Sequence, residues 1–148
     1  MSAALTIDLS QLPAFANREE AVLRSLDWTP AFKQIRLLLI SATKKNFAQG
    51  SSPDGEPWAP LLHPRRRSKG VDRPLRDTGL LMASVTGGSN SVDSVTPQSL
   101  IVGSNLFYAG FHQFGTRKMV ARPFLGMTED VAQKIEWICA EYLEKVLS

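Results

Sequence analysis

TEDVAQKIEWICAEYLEKVL, residues 128–147, is the stretch from which the fold can be read. Thr128 is placed to cap a helix, and Glu129 and Asp130 fill a first turn where the helix dipole favours anions. Val131, Ile135, Ile138, Tyr142 and Val146 then recur on one side at helical spacing. The pattern predicts a helix over Glu129–Leu147 with that stripe turned to a core. Cys139 sits at the margin of the stripe and reads as a small core residue.

Working back towards the N-terminus, Thr29-Pro30 predicts a second long helix, from Pro30 to about Gln49. Thr29 is its expected cap, Pro30 suits the first helical position, and Gly50 ends it. Phe32, Ile35, Leu38, Leu39, Ala42 and Phe47 roughly follow its apolar side. Asn17 before Arg18, Glu19 and Glu20 predicts a shorter helix with Val22, Leu23 and Leu26 inward. Asp77-Thr78-Gly79 starts a short helical piece through Leu80, Leu81 and Met82. Ser84–Thr86, Val92–Thr96 and Ser99–Val102 are β-like, the last two forming a hairpin across Pro97-Gln98. Phe107 to Phe114 reads as one or two helical turns closed at Gly115. These elements predict an α+β fold in which a small antiparallel sheet packs against the long central helix and the C-terminal helix. The C-terminal stripe is expected to dock on the sheet beside the helix that starts at Pro30.

With 148 residues, 43% hydrophobic and 21% charged, residues 1–148 suit a single domain with an ordinary core. The net charge of +3 permits contact with nucleic acid or an acidic protein without requiring either. Met1 to Asp8 lacks the pattern of a signal peptide, and the longest apolar run, Ile35 to Ile40, is interrupted by Arg36. A bilayer span needs about 20 apolar residues, so no membrane association and a cytoplasmic site of assembly are expected. The single cysteine excludes an intrachain disulfide.

Little in the sequence nominates a reaction. The chain has neither a GxxxxGK[ST] nor a GxGxxG pattern, and His63 and His112 stand in no metal-ligand spacing. Ser84 and Ser104 lack the surroundings of a nucleophile elbow. No enzyme activity, no cofactor and no metal are therefore expected.

Four ordered segments carry a different signal. The first is Ser52-Pro53-Asp54-Gly55 leading to Trp58-Ala59-Pro60-Leu61. The second is Leu75-Arg76-Asp77-Thr78-Gly79-Leu80-Leu81, with Ser84 after it. The third runs Val102-Gly103-Ser104-Asn105 through Tyr108-Ala109 to His112-Gln113-Phe114-Gly115-Thr116, and the fourth is Ala121-Arg122-Pro123-Phe124-Leu125-Gly126. Together they resemble the phage virion-morphogenesis, or tail-completion, family of Mu-like and P2-like phages. The resemblance implies a structural protein of the head–tail junction or tail end, needed for virion assembly and head–tail joining. It further implies a homo-oligomeric ring, commonly six-fold, between connector or portal-side and tail-side phage proteins. On the residues themselves, Trp58, Gly79, Tyr108, Gly115 and Phe124 read first as builders of the fold, since buried aromatics and turn glycines usually serve packing. Gly79 is expected to permit a close backbone approach. Arg122-Pro123 forces an extended entry that lets Phe124 and Leu125 insert into the core.

Two features are harder to explain as core, and they supply the candidate partner-binding residues. Trp137 lies about 120° or more around the last helix from its apolar stripe at 3.6 residues per turn, alongside Glu129, Glu136 and Glu144. A tryptophan on a wet helix face is a candidate interface anchor. The second feature is the proline-rich segment 51–76, expected to be a mobile loop carrying Arg65, Arg66, Arg67, Lys69 and Arg73. Opposite charges on separate parts of one protomer suit a head-to-tail contact. The alternative reading is a sequence-independent nucleic-acid-binding protein, or at least transient contact with genomic DNA, through those arginines. No aromatic residues are interleaved with them, and no DNA-binding motif accompanies them.

Overall fold

A computed structural model of the chain describes residues 3–8, 20–63 and 73–148. The expected helix cap Asn17 and the basic residues Arg65, Arg66, Arg67 and Lys69 lie outside these residues. In chain order the elements are β1 (Ala3–Asp8), α1 (Glu20–Ser25), α2 (Thr29–Gln49), α3 (Leu80–Ser84), β2 (Ser91–Val95), β3 (Ser99–Ser104), α4 (Ala109–Phe114) and α5 (Glu129–Leu147). The fold is α+β, with an antiparallel three-stranded sheet in the order β1-β3-β2.

The long helix α2 begins one residue before the expected Pro30. Trp28, not Thr29, occupies its cap position and offers no side-chain cap. Asp27 substitutes, its Oδ1 accepting the Thr29 backbone N–H at 3.0 Å. Trp28 is instead a packing pivot: it is fully buried, its indole N–H donates to the Leu23 carbonyl at 2.9 Å, and its ring lies 5.3 Å from that of Tyr142. Gly50 closes α2 in the left-handed conformation, as expected.

The hairpin β2–β3 forms as read, and β3 becomes the central strand because β1 joins its other side. The β1 strand was not anticipated. Gly103 explains how closely it approaches: a Cβ there would sit 2.5 Å from the Ala3 carbonyl oxygen and 2.6 Å from Ala4. Any larger residue at 103 would push β1 away. Ser84–Thr86, expected to be β-like, instead ends α3 and turns away. The reason is local hydrogen bonding. Ser84 Oγ bonds the Leu81 carbonyl at 2.7 Å, the back-bonding typical of a serine in a helical turn, and also meets Ser104 Oγ at 2.7 Å. Both hydroxyls are buried, and that of Ser104 also accepts the Leu106 N–H.

Two cores result. The first gathers Trp28, Phe32, Ile35 and Leu39 of α2 and its cap with Leu100 and Val102 of β3 and Val131, Ile135, Cys139 and Leu143 of α5. Within it α5 packs along α2, and it is α2, rather than α5, that lies across β3 and β2. The inward side of α5 is also rotated from the expected stripe. Cys139 and Leu143 are buried, Ile138 and Tyr142 are half-buried, and Val146 is exposed. The second core holds Phe47, Trp58, Leu75, Leu81, Val85, Ala109, Phe124 and Leu125.

Candidate interaction surfaces

The four sequence segments that suggested a family meet in the second core. Trp58 stacks edge-on against Phe47 at 5.4 Å, and Phe124 lies 5.8 Å from the same ring. Residues 121–126 have no strand partner; the Arg122 N–H donates to the His112 carbonyl at 2.7 Å, and side chains satisfy other backbone groups of the segment, as burial requires. Trp58 Nε1 donates to the Pro123 carbonyl at 2.7 Å, and Asn46 Nδ2 to that of Phe124 at 3.1 Å. Gln113 acts as a substitute strand: its Oε1 accepts the N–H groups of Phe124 and Leu125, both at 3.1 Å, and its Nε2 donates to the Leu125 carbonyl at 2.7 Å. Arg122, itself buried, reaches back with its guanidinium to the carbonyls of Ala59 and Pro60 at 2.8 and 3.0 Å. Gly79 works differently from the expectation. Nothing lies near a Cβ there; its φ of 81° is what requires glycine. These residues hold the 51–60 and 121–126 segments together and leave the outer helix faces exposed.

The most distinct of those faces belongs to α5. Trp137 is 65% exposed and lies about 160° around the helix from buried Ile135 and Cys139, at 100° per residue. Glu129, Glu136 and Glu144 are exposed on the same half of the helix. Two other acids of α5 are paired along it, Asp130 with Lys134 at 3.1 Å and Glu141 with Lys145 at 3.5 Å. No ion pair holds Glu129, Glu136 or Glu144 among the described residues, so the face carries uncompensated negative charge. Near the first turn it runs into an open groove of about 700 Å³ where Asp54 joins Glu129 and Asp130, alongside Lys45 and Lys134. Behind the face, Cys139 is fully enclosed. Burial, and to a lesser degree the charge of Glu136, pushes its thiol up to about 11.

A second face escaped the sequence reading. Phe107 is 73% exposed, Phe111 37% and Phe114 63%, at spacing i, i+4 and i+7 along and just before α4. The signal was present in that spacing, but a segment of two turns shows no wet or dry side until its neighbours are placed. Beyond Gly115 a tight turn pairs Thr116 with Met119 and presents Arg117 and Lys118 to solvent. Arg73 and Arg76 are likewise exposed, at the described end of the basic segment. The structure thus brings Glu129, Glu136, Trp137 and Glu144 together on one surface. It does not describe Arg65, Arg66, Arg67 or Lys69.

Comparison with known proteins bears on the motifs directly. Residues 8–144 match the phage virion morphogenesis family. The chain belongs to that family. Among its relatives, Mu-like prophage FluMu G protein 2 of Haemophilus influenzae is 36% identical over 115 residues, covering 72% of each chain. Mu-like prophage FluMu G protein 1 of the same organism is 26% identical over 125 residues, covering 82% of this chain and 83% of the relative. No solved structure matches. As a member of the virion morphogenesis family, the chain has a structural or assembly role in the virion. Trp58, Gln113, Arg122 and Phe124 give a physical account of how the matched region is held in this chain. Sequence reasoning had singled out Trp58 and Phe124, but not the polar bracket made by Gln113 and Arg122.

Proposed function

We propose that this virion morphogenesis protein works at the head–tail junction or tail end as a homo-oligomeric ring, completing the tail and making it competent to join a filled head. It acts by docking rather than by catalysis. The observation that carries this reading is Trp137. A large aromatic, 65% exposed and centred among unpaired glutamates on a rigid 19-residue helix, is poorly suited to permanent solvation and well suited to a protein contact. The six-fold order follows the resemblance, and connector or portal-side and tail-side proteins are the neighbours it implies. The arginine-rich segment, with Arg65, Arg66, Arg67, Lys69 and Arg73, offers a second contact to an acidic partner, with DNA passing through the ring as the transient alternative.

The test is complementation of a phage lacking the gene. Without the protein, filled heads and separate tails should accumulate in electron micrographs, whereas joined particles in normal number would overturn the junction reading. A Trp137→Ala chain should fold with an unchanged denaturation midpoint yet fail to restore infectious particles. Full restoration would remove Trp137 from the interface.

A further inference from the structure

We infer that the phenylalanine face formed by Phe107, Phe111 and Phe114, together with the basic turn at Arg117 and Lys118, docks on the Trp137 face of α5 in a second copy of this chain. The inference rests on the ring assembly proposed above and names the two surfaces that meet.

Three exposed phenylalanines within eight residues form a ridge about 10 Å long at 1.5 Å per residue. Such a patch is costly in water and is the kind of surface that marks a protein contact. Its partner is indicated by charge. At one end of the ridge stand two cations with no ion pair among the described residues, Arg117 and Lys118. On α5, Glu136 and Glu144 flank Trp137 with no cation of their own, and they lie about 12 Å apart along the axis, a length comparable to the phenylalanine ridge. Beside Trp137, at positions i−4 and i+3, stand Gln133 and the small exposed Ala140, so one side of the indole is open to an incoming ring. Aromatic contact between the ridge and the indole, with the cations at one end of the ridge meeting the acids beside Trp137, would fix both register and direction.

The topology makes the contact heterologous. The α4 helix belongs to the second core and touches β1, whereas α5 belongs to the first core and lies on α2. Each protomer therefore carries one donor face and one acceptor face on different elements. A contact of this kind propagates from copy to copy and ends only when a ring closes.

The experiment uses the full chain in assembled particles, carrying Val120→Cys and Ala140→Cys together, exposed positions beside the two faces that leave their aromatic residues intact, and treated with a short bis-maleimide. The native Cys139 is enclosed and remains silent. A ladder of cross-linked species is expected for the double variant, dimers only for an equal mixture of the two single variants, and neither for a single variant alone. If amine-reactive cross-linking yields a ladder while the cysteine pair yields none, this contact is wrong and the ring stands. If neither reagent links any copies, both the contact and the ring fail. Charge reversal provides an independent check. Arg117→Glu with Lys118→Glu should abolish the cysteine ladder while far-UV circular dichroism is unchanged, and adding Glu136→Arg with Glu144→Arg should restore it. A ladder that survives the first pair, or is not restored by the second, overturns the inference.

Discussion

The two cores of this protein are built by different means. The first is made by regular elements, with aliphatic side chains gathered around Trp28 and Phe32: one face of α2, one of α5 and one side of β3 close over each other, and their backbones are satisfied largely within helices and strands. The second is aromatic and closes over loops, so its buried backbone groups depend on Trp58, Asn46, Gln113 and Arg122. Periodic hydrophobicity specifies the first, while individual polar side chains specify the second. Substitution by a similar apolar residue should therefore be tolerated in one and much less so in the other.

The sharpest way to break the second core is Phe124→Ala, expected to cost about 3–5 kcal/mol in urea denaturation, since the ring is fully buried against Phe47. A loss below about 1 kcal/mol would show that the loop core is dispensable for the rest of the fold. Ile135→Ala is the matching test of the first core and should cost about 2–5 kcal/mol through lost burial and a residual cavity. An unchanged midpoint would mean that α5 does not dock on α2 by this face. Next in size is Gln113→Ala, which removes a side chain without emptying a core yet strands the N–H groups of Phe124 and Leu125. It should cost about 1–3 kcal/mol, and hydrogen exchange of those two amides should accelerate. Unchanged exchange there would remove Gln113 from the bracket.

The smallest effect is a pH dependence confined to the first core. Unfolded, the Cys139 thiol has its ordinary value of 9.0; folded, it is held at about 11. Between those values the folded chain keeps a proton that the unfolded chain has lost, so stability falls as pH rises through that window. The loss should reach about 1 kcal/mol by pH 10, and Cys139→Ala should flatten that part of the profile. The same slope in the substituted chain would assign it to another group.

This division also explains what could be read from the residues beforehand. The bounds of α5 follow from Thr128, whose hydroxyl does accept the Val131 N–H at 3.2 Å, and from the two acids after it. The inward side of α5 differs from the expected stripe because Ile138, Tyr142 and Val146 are larger side chains than Cys139, whereas the neighbouring α2 selects the i, i+4 row Val131–Ile135–Cys139–Leu143. Tyr142 stays half out because its hydroxyl donates to the Asp27 carbonyl. The β1 strand is six residues long with Ala3, Leu5 and Ile7 turned inward, too short a pattern to stand out before β3 supplies its partner. Of the interaction surfaces, Trp137 was visible because a long helix defines its own wet side. The Phe107–Phe114 face became visible only once α4 was packed.

Trp28 is fully buried, Trp58 is 7% exposed and Trp137 is 65% exposed. The molecule therefore carries a built-in optical probe. Two indoles emit from dry surroundings and are shielded from a soluble quencher such as acrylamide, and the third emits from water and is open to it. The quenchable fraction of the fluorescence reports the α5 face alone, and any copy or partner that settles on that face shifts the emission to the blue without a label being attached.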